Sequence, residues 1–365
     1  MSGPNPKGGA AGEFAEMAEK LIKGGKLLST IRDVDVDVGA TPKNLVLRRD
    51  KVELFRYLPT AERKVSTPLL LVYGLVGRYT MADLQEDRSL VRSLLSRGLD
   101  LWLVDWGQPN RSERWLTIDD YVDDYIHAAV ERVCLETGHD RITLLGICEG
   151  GVFTTCYAAL HPDKTKNLVL TITPIDFHAD REDPHTHHGF INVWTRSLDS
   201  VDIDKLVDTF GGLPGEFMSS VFSLMTPMRS LTKYNVDLLD VIDDEAKLMN
   251  FLRMEKWLAD RPAHPGEAAK QWLKDLYQDN KLVKGEFVLS GRRIDLSSIE
   301  APVLNVFALN DHIIPPTCSR ALGEHIGTRD YSEIELPGGH VGLFVSSKSQ
   351  GFLSKGISEW LAARD

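Results

Sequence analysis

Residues 142–151 read Ile142-Thr143-Leu144-Leu145-Gly146-Ile147-Cys148-Glu149-Gly150-Gly151, and the helix-like stretch Val152–Leu160 follows. An apolar run, a glycine-flanked turn and then a helix form a strand-turn-helix unit whose central residue is thrust out of a strained bend. This is the G-x-S-x-G pattern with Cys in place of Ser, so Cys148 is a candidate nucleophile. The partial positive charge of the helix N-terminus favours its thiolate. A glycine-rich turn around a buried cysteine gives the same match, so the surrounding chain decides.

Upstream, Leu45–Leu47 and Val52–Tyr57 flank a polar run and read as a hairpin. Thr67–Tyr73 has the continuous apolar character of a strand buried on both faces. A helix pattern around Asp87–Arg97, a strand at Leu99–Asp105 and a helix from Thr117 to about Thr137 complete the approach to Ile142. Downstream, Asn167–Thr173 and Pro302–Leu309 continue the strands. Alternating strands and helices with right-handed crossovers give a mostly parallel central sheet flanked by helices.

Between the last two strands, helix patterns such as Glu245–Ala259 and Glu267–Tyr277 alternate with Pro and Gly turns. The expected division is an N-terminal tip and helix at 1–34, a core at 35–174 and 300–365, and an inserted, mainly helical cap at 175–299. Phe14, Met17, Leu21 and Ile22 recur at helical spacing, which suggests an amphipathic helix packed on the main domain or on a partner, with core packing the preferred reading.

The last core strand runs into Asn310-Asp311-His312, placing Asp311 just past a strand end, and Glu333–Leu336 leads into Pro337-Gly338-Gly339-His340. Nucleophile, acid and His in that chain order are those of an α/β-hydrolase fold, unlike the chymotrypsin and subtilisin orders. Cys148, Asp311 and His340 are therefore the expected catalytic residues. The oxyanion donors expected are the backbone N–H of Glu149 and, from the loop after Thr67–Tyr73, that of Val76, although Val76 also reads as an ordinary apolar loop residue.

Composition bounds the partners. With 365 residues, 42% hydrophobic and 26% charged, the chain can bury a large core. A formal net charge of −11 argues against nucleic-acid binding. No run reaches the roughly 18 to 20 apolar residues of a membrane span, and Met1–Gly12 lacks the apolar stretch of a signal peptide, so a cytoplasmic protein is expected. Cys134, Cys156 and Cys318 are expected to be buried and inert. The cluster His178, His185, His187 and His188 lacks a regular ligand spacing and reads as a solvated loop; no metal and no organic cofactor are expected.

A thiolate exchanges one thioester for another at little thermodynamic cost, which suits acyl transfer from an acyl-CoA better than hydrolysis. The chain also resembles class III polyhydroxyalkanoate synthase catalytic subunits over about residue 35 to the end. The likeness is carried by Gly146–Gly151, Tyr73-Gly74-Leu75-Val76, Asp83–Arg88, Val104-Asp105-Trp106-Gly107, Asp311-His312, Gly338–Gly342 and Asn250–Trp257.

The resemblance implies polymerisation of (R)-3-hydroxyacyl-CoA, typically 3-hydroxybutyryl-CoA, into a growing polyester with release of CoA. Cys148 would hold the acyl chain and His340 would deprotonate its thiol. Asp311 would support His340 or help activate the attacking 3-hydroxyl. His312 matches the family pattern, as a supporting or packing residue or in the chemistry itself. An accessory subunit, PhaE, a homo- or hetero-oligomer and association with polymer granules are implied too. The rivals are a cysteine-dependent thioesterase or depolymerase of the same fold, and a non-catalytic granule-binding scaffold.

Glu149 stands where these enzymes often carry Gln. A carboxylate turned toward the nucleophile would oppose thiolate formation, so its side chain is expected to point away and contribute only its N–H. Trp272, Leu273, Leu276 and Tyr277 form a helical stripe expected to bury against the main domain. Arg78 is left open between a CoA phosphate contact and a surface position.

Overall fold

A computed structural model describes residues 10–181, 188–224 and 237–365. The hairpin forms from β1 (Lys43–Arg49) and β2 (Val52–Tyr57), turning at Asp50 with φ 54°. The continuous apolar run becomes β3 (Leu69–Val72), every residue of which is buried. Next come β4 (Leu101–Asp105), β5 (Ile142–Ile147), β6 (Thr165–Thr171), β7 (Val303–Ala308) and β8 (Tyr331–Leu336).

These eight strands form one sheet in the order β1-β2-β4-β3-β5-β6-β7-β8. Strand β2 runs antiparallel to both neighbours, and every other pairing from β4 to β8 is parallel. The order reverses between β3 and β5, where Val72 sits opposite Gly146. Chain leaving the carboxyl end of β3 therefore lies beside chain leaving β5, the place where open α/β sheets build sites.

Side chains alternate across the sheet and so divide the core. Leu70, Val72, Trp102, Val104, Leu144 and Leu170 face one hydrophobic layer. Leu69, Leu71, Leu101, Leu103, Leu145 and Val169 face the other. Helices α1 (Ala10–Thr30), α2 (Leu90–Ser96), α3 (His127–Thr137) and α4 (Glu149–Leu160) precede the long insertion between β6 and β7. Among its described residues the insertion adds no strand to the main sheet. It holds the helices Phe190–Arg196, Ser200–Phe210, Gly215–Ser223 and Glu245–Ala259. A short antiparallel pairing joins Gly212-Leu213 to His264-Pro265.

Three expectations are corrected. The helix expected from Thr117 begins as a π-helical stretch, Asp120–Ile126, before α3. Gly266–Lys270 likewise passes into π-helical Gln271–Gln278. Both π-helical stretches bury adjacent large residues, Tyr121 with Val122 and Trp272 with Leu273. Third, α1 does not enter the core. Phe14, Met17, Leu21 and Ile22 are exposed, because the helix meets the body along its Gly24 side, against the Ile242 side chain.

Candidate active site

Cys148 caps the N-terminus of α4 with φ 54° and ψ −122°, a conformation that non-glycine residues rarely adopt. Its N–H donates to Thr171 O at 2.9 Å, and its carbonyl accepts from Gly151 N at 2.9 Å. The glycines are required by close approach. A Cβ at Gly146 would run into Thr154 and the Gly151 Cα, one at Gly150 into the Val72 carbonyl, and one at Gly151 into the Thr173 side chain. The turn is locked, and the thiol is left partly exposed.

Asp311 follows β7 and His340 follows β8, so the sheet delivers both to the same end as Cys148. His340 Nδ1 lies 2.8 Å from Asp311 Oδ2. Asp311 Oδ1 accepts from the N–H groups of Ile313 at 2.9 Å and Ile314 at 2.8 Å. The Asp311 side chain is 1% exposed and that of His340 11%. Burial works to lower the His340 pKa, but the charges of Asp311 and Cys148 and the hydrogen bond to Asp311 prevail and push it up to about 10. An imidazole with that proton affinity favours taking the thiol proton. His312, by contrast, is exposed, and its carbonyl accepts from Phe190 N at 3.0 Å.

The bonds of the Glu149 carboxylate go to the loop after β3 and to His264, and the expectation that this residue contributes only its N–H is corrected. The carboxylate is not a bystander but the hub of a buried network. Oε2 accepts from Leu75 N at 2.6 Å and Val76 N at 3.1 Å, and Oε1 lies 2.7 Å from His264 Nε2. The two side chains of this last pair are 1% and 2% exposed. The carboxylate is thus tied to the loop after β3 and to the insertion. Val76, expected to offer its N–H to a substrate oxygen, donates to Glu149 in this arrangement. The N–H of Glu149 itself opens α4, where no helical carbonyl precedes it as acceptor.

Sequence reasoning missed His264, Tyr73 and Arg261. Burial first, and then the neighbouring Cys148, raises the pKa of Tyr73 and of Tyr277, keeping both as neutral phenols beside the nucleophile. Arg261 Nη1 donates to Val76 O at 3.3 Å. One signal was available for His264: a carboxylate fixed next to a buried elbow needs a donor. Nothing in the sequence around His264 marked it as that donor.

Arg78 pairs with Asp105 at 3.5 Å and Asp260 at 3.0 Å and is largely buried, so it bridges the sheet and the insertion and does not stand as a free surface side chain. Cys134, Cys156 and Cys318 are buried, and burial raises all three pKa values, that of Cys318 to about 12. Of the histidine cluster, His185 and His187 lie outside the described residues, and His178 Nε2 is 3.0 Å from Tyr277 O. Among the described residues, no three His, Cys, Asp or Glu side chains are grouped to hold a metal ion. Nor, among them, is any helix long and apolar enough to cross a membrane.

A family profile described as alpha/beta hydrolase fold matches residues 67–347. Another, described as Poly-beta-hydroxybutyrate polymerase (PhaC) N-terminus, matches residues 15–94. The chain is 43% identical over 353 residues to the poly(3-hydroxyalkanoate) polymerase subunit PhaC of Synechocystis sp., covering 96% of this chain and 92% of that one. The protein of the same name from Allochromatium vinosum is 42% identical over 357 residues, 96% of each chain. Among solved structures, a soluble variant of a monoglyceride lipase from Saccharomyces cerevisiae superposes with a TM-score of 0.57 at 13% identity. That match covers 90% of this chain and 97% of the lipase, and it is a likeness of fold.

Proposed function

The chain belongs to the poly(3-hydroxyalkanoate) polymerases of the PhaC family, acyltransferases on an α/β-hydrolase fold, and we propose that it works through an acyl-cysteine at Cys148. The Cys148 thiol gives its proton to His340, and the sulfur attacks the thioester carbonyl of an (R)-3-hydroxyacyl-CoA. A carbon–sulfur bond forms to Cys148 as the bond to CoA breaks, and the departing thiolate takes the proton from His340. The 3-hydroxyl of the next hydroxyacyl-CoA then attacks the acyl-cysteine and passes its proton to His340. An ester bond forms, Cys148 is freed, and the lengthened chain, now a CoA thioester, reloads it.

The observation that carries this reading is the convergence of Cys148, His340 and Asp311 at the ends of β5, β8 and β7, with His340 Nδ1 2.8 Å from Asp311 and the charge of Cys148 acting on the imidazole. The contacts of Asp311 favour its supporting role. One oxygen is on His340 Nδ1 and the other on two backbone amides, which leaves hydroxyl activation to His340. The oxyanion is received by the Glu149 N–H, with Val76 N–H recruited in competition with the Glu149 carboxylate.

The matched description names poly-beta-hydroxybutyrate, which supports 3-hydroxybutyryl-CoA as the substrate. The relatives are named as subunits, which supports an accessory partner of the PhaE kind. Assembly on polymer granules in the cytoplasm belongs to the same proposal. Residues 175–299 serve as the cap over this site, excluding water from the acyl-cysteine.

The test is CoA release from (R)-3-hydroxybutyryl-CoA by the chain with and without a candidate partner, beside Cys148→Ala and an assay for insoluble polyester. CoA release with polymer, lost in Cys148→Ala and stimulated by the partner, is the expected outcome. Free hydroxy acid without polymer would replace it with a thioesterase, and no release under any pairing with a scaffold.

A further inference from the structure

The loop after β3 is tied to the sheet by Trp106 Nε1, which donates to Tyr73 O at 2.7 Å, and by the Arg78–Asp105 pair, and to one short stretch of the insertion by several further contacts. Trp257 Nε1 donates to Arg78 O at 3.2 Å, and Asp260 pairs with the Arg78 guanidinium at 3.0 Å. Arg261 Nη1 donates to Val76 O at 3.3 Å. His264 reaches the other side of the same peptide unit series indirectly, through Glu149, whose second oxygen accepts from Leu75 N and Val76 N. Carbonyls and amides of the loop beside Cys148 are thus both anchored to residues 257–264.

On the acyl-cysteine reading, we infer that His264 is a positioning residue. Through Glu149 it fixes Leu75 and Val76, so that the seating of the insertion sets where the thioester oxygen is received.

The physical reason is the burial of the pair. A carboxylate 1% exposed is tolerated only while its oxygens are hydrogen-bonded, and His264 supplies the one partner of Oε1 among the described residues. Without that partner the carboxylate must turn toward another donor, and the loop amides on Oε2 follow it. The shorter bond, from Leu75 at 2.6 Å, is the anchor. The longer one, from Val76 at 3.1 Å, is the bond for which an oxyanion competes. Thus Glu149 holds the loop without permanently consuming the Val76 donor. A displacement of about 1 Å in such a donor is enough to cost roughly 10²-fold in rate.

The test compares two reactions of Cys148 in the full-length chain. Single-turnover CoA release from (R)-3-hydroxybutyryl-CoA passes through an oxyanion. Alkylation by iodoacetamide displaces iodide at sulfur, forms no oxyanion, and reports on Cys148 and His340 alone. His264→Ala is expected to slow CoA release by roughly 10²-fold while alkylation stays within about threefold of wild type. His264→Gln, whose amide N–H can reach Glu149 Oε1, is expected to recover about tenfold or more of that loss.

If His264→Ala does not fold, His264→Asn, too short for the contact, carries the same expectation. An equal fall in both reactions, unchanged or faster CoA release in His264→Ala, or no recovery with Gln would overturn the inference. Wild-type CoA release that survives Cys148→Ala would be a separate signature: it would remove the acyl-cysteine reading and this inference with it.

Discussion

Burial alone would strip the proton from His340, yet Asp311 and Cys148 hold its pKa at about 10. A histidine raised in the folded state from an ordinary value near 6.5 contributes stability that is complete below that value and is lost as the pH rises through about 10. Asp311→Asn removes the largest of the raising influences, so the gap in urea midpoint between wild type and variant should narrow between pH 7 and 10. A gap that stays constant across that range would mean that His340 does not carry the linkage. The same substitution should lower single-turnover CoA release by on the order of 10³-fold or more, as loss of the acid does in other nucleophile-His-acid triads. Cys148, Asp311 and His340 could be picked from the sequence because each follows a recognisable strand and their chain order is diagnostic. The side chain of Glu149 could not, because its direction depends on Leu75, Val76 and His264, which lie 74, 73 and 115 positions away.

Among the elements, the turn between β5 and α4 shows how closely local packing governs chemistry. Gly151 has the Thr173 side chain where a Cβ would go. Gly151→Ala should therefore cost about 1–3 kcal/mol in urea unfolding and slow iodoacetamide alkylation of Cys148. Thr173→Gly in the same chain should return part of both, as expected of contacting residues in a double-mutant cycle. Purely additive effects would show that the strain lies elsewhere. Strand positions were legible because apolar runs bounded by turns mark buried strands. The π-helical stretches at Asp120–Ile126 and Gln271–Gln278 were not, since apolar periodicity marks a helix without fixing the width of its turn.

Across the whole molecule, the insertion shares its core with the sheet. Trp272 packs edge-on against Phe153 of α4 with ring centroids 6.4 Å apart, and against Phe177 and Tyr277 at 5.8 Å and 5.4 Å. Trp272→Ala should lower stability by about 3–5 kcal/mol and shift far-UV circular dichroism and aromatic fluorescence together. A first transition confined to fluorescence would indicate an insertion that melts on its own. The sequence by itself determined the sheet, the strand-end placement of Cys148, Asp311 and His340, and the family. Those features rest on local periodicity, turn residues and chain order, which neighbouring residues encode. Tertiary structure alone decided that α1 lies outside the core, that the Val76 N–H is bonded to Glu149, and that His264 reaches the Glu149 carboxylate beside the elbow. Each of these depends on a surface or donor supplied by a distant part of the chain, and burial makes the match matter only once the whole has packed.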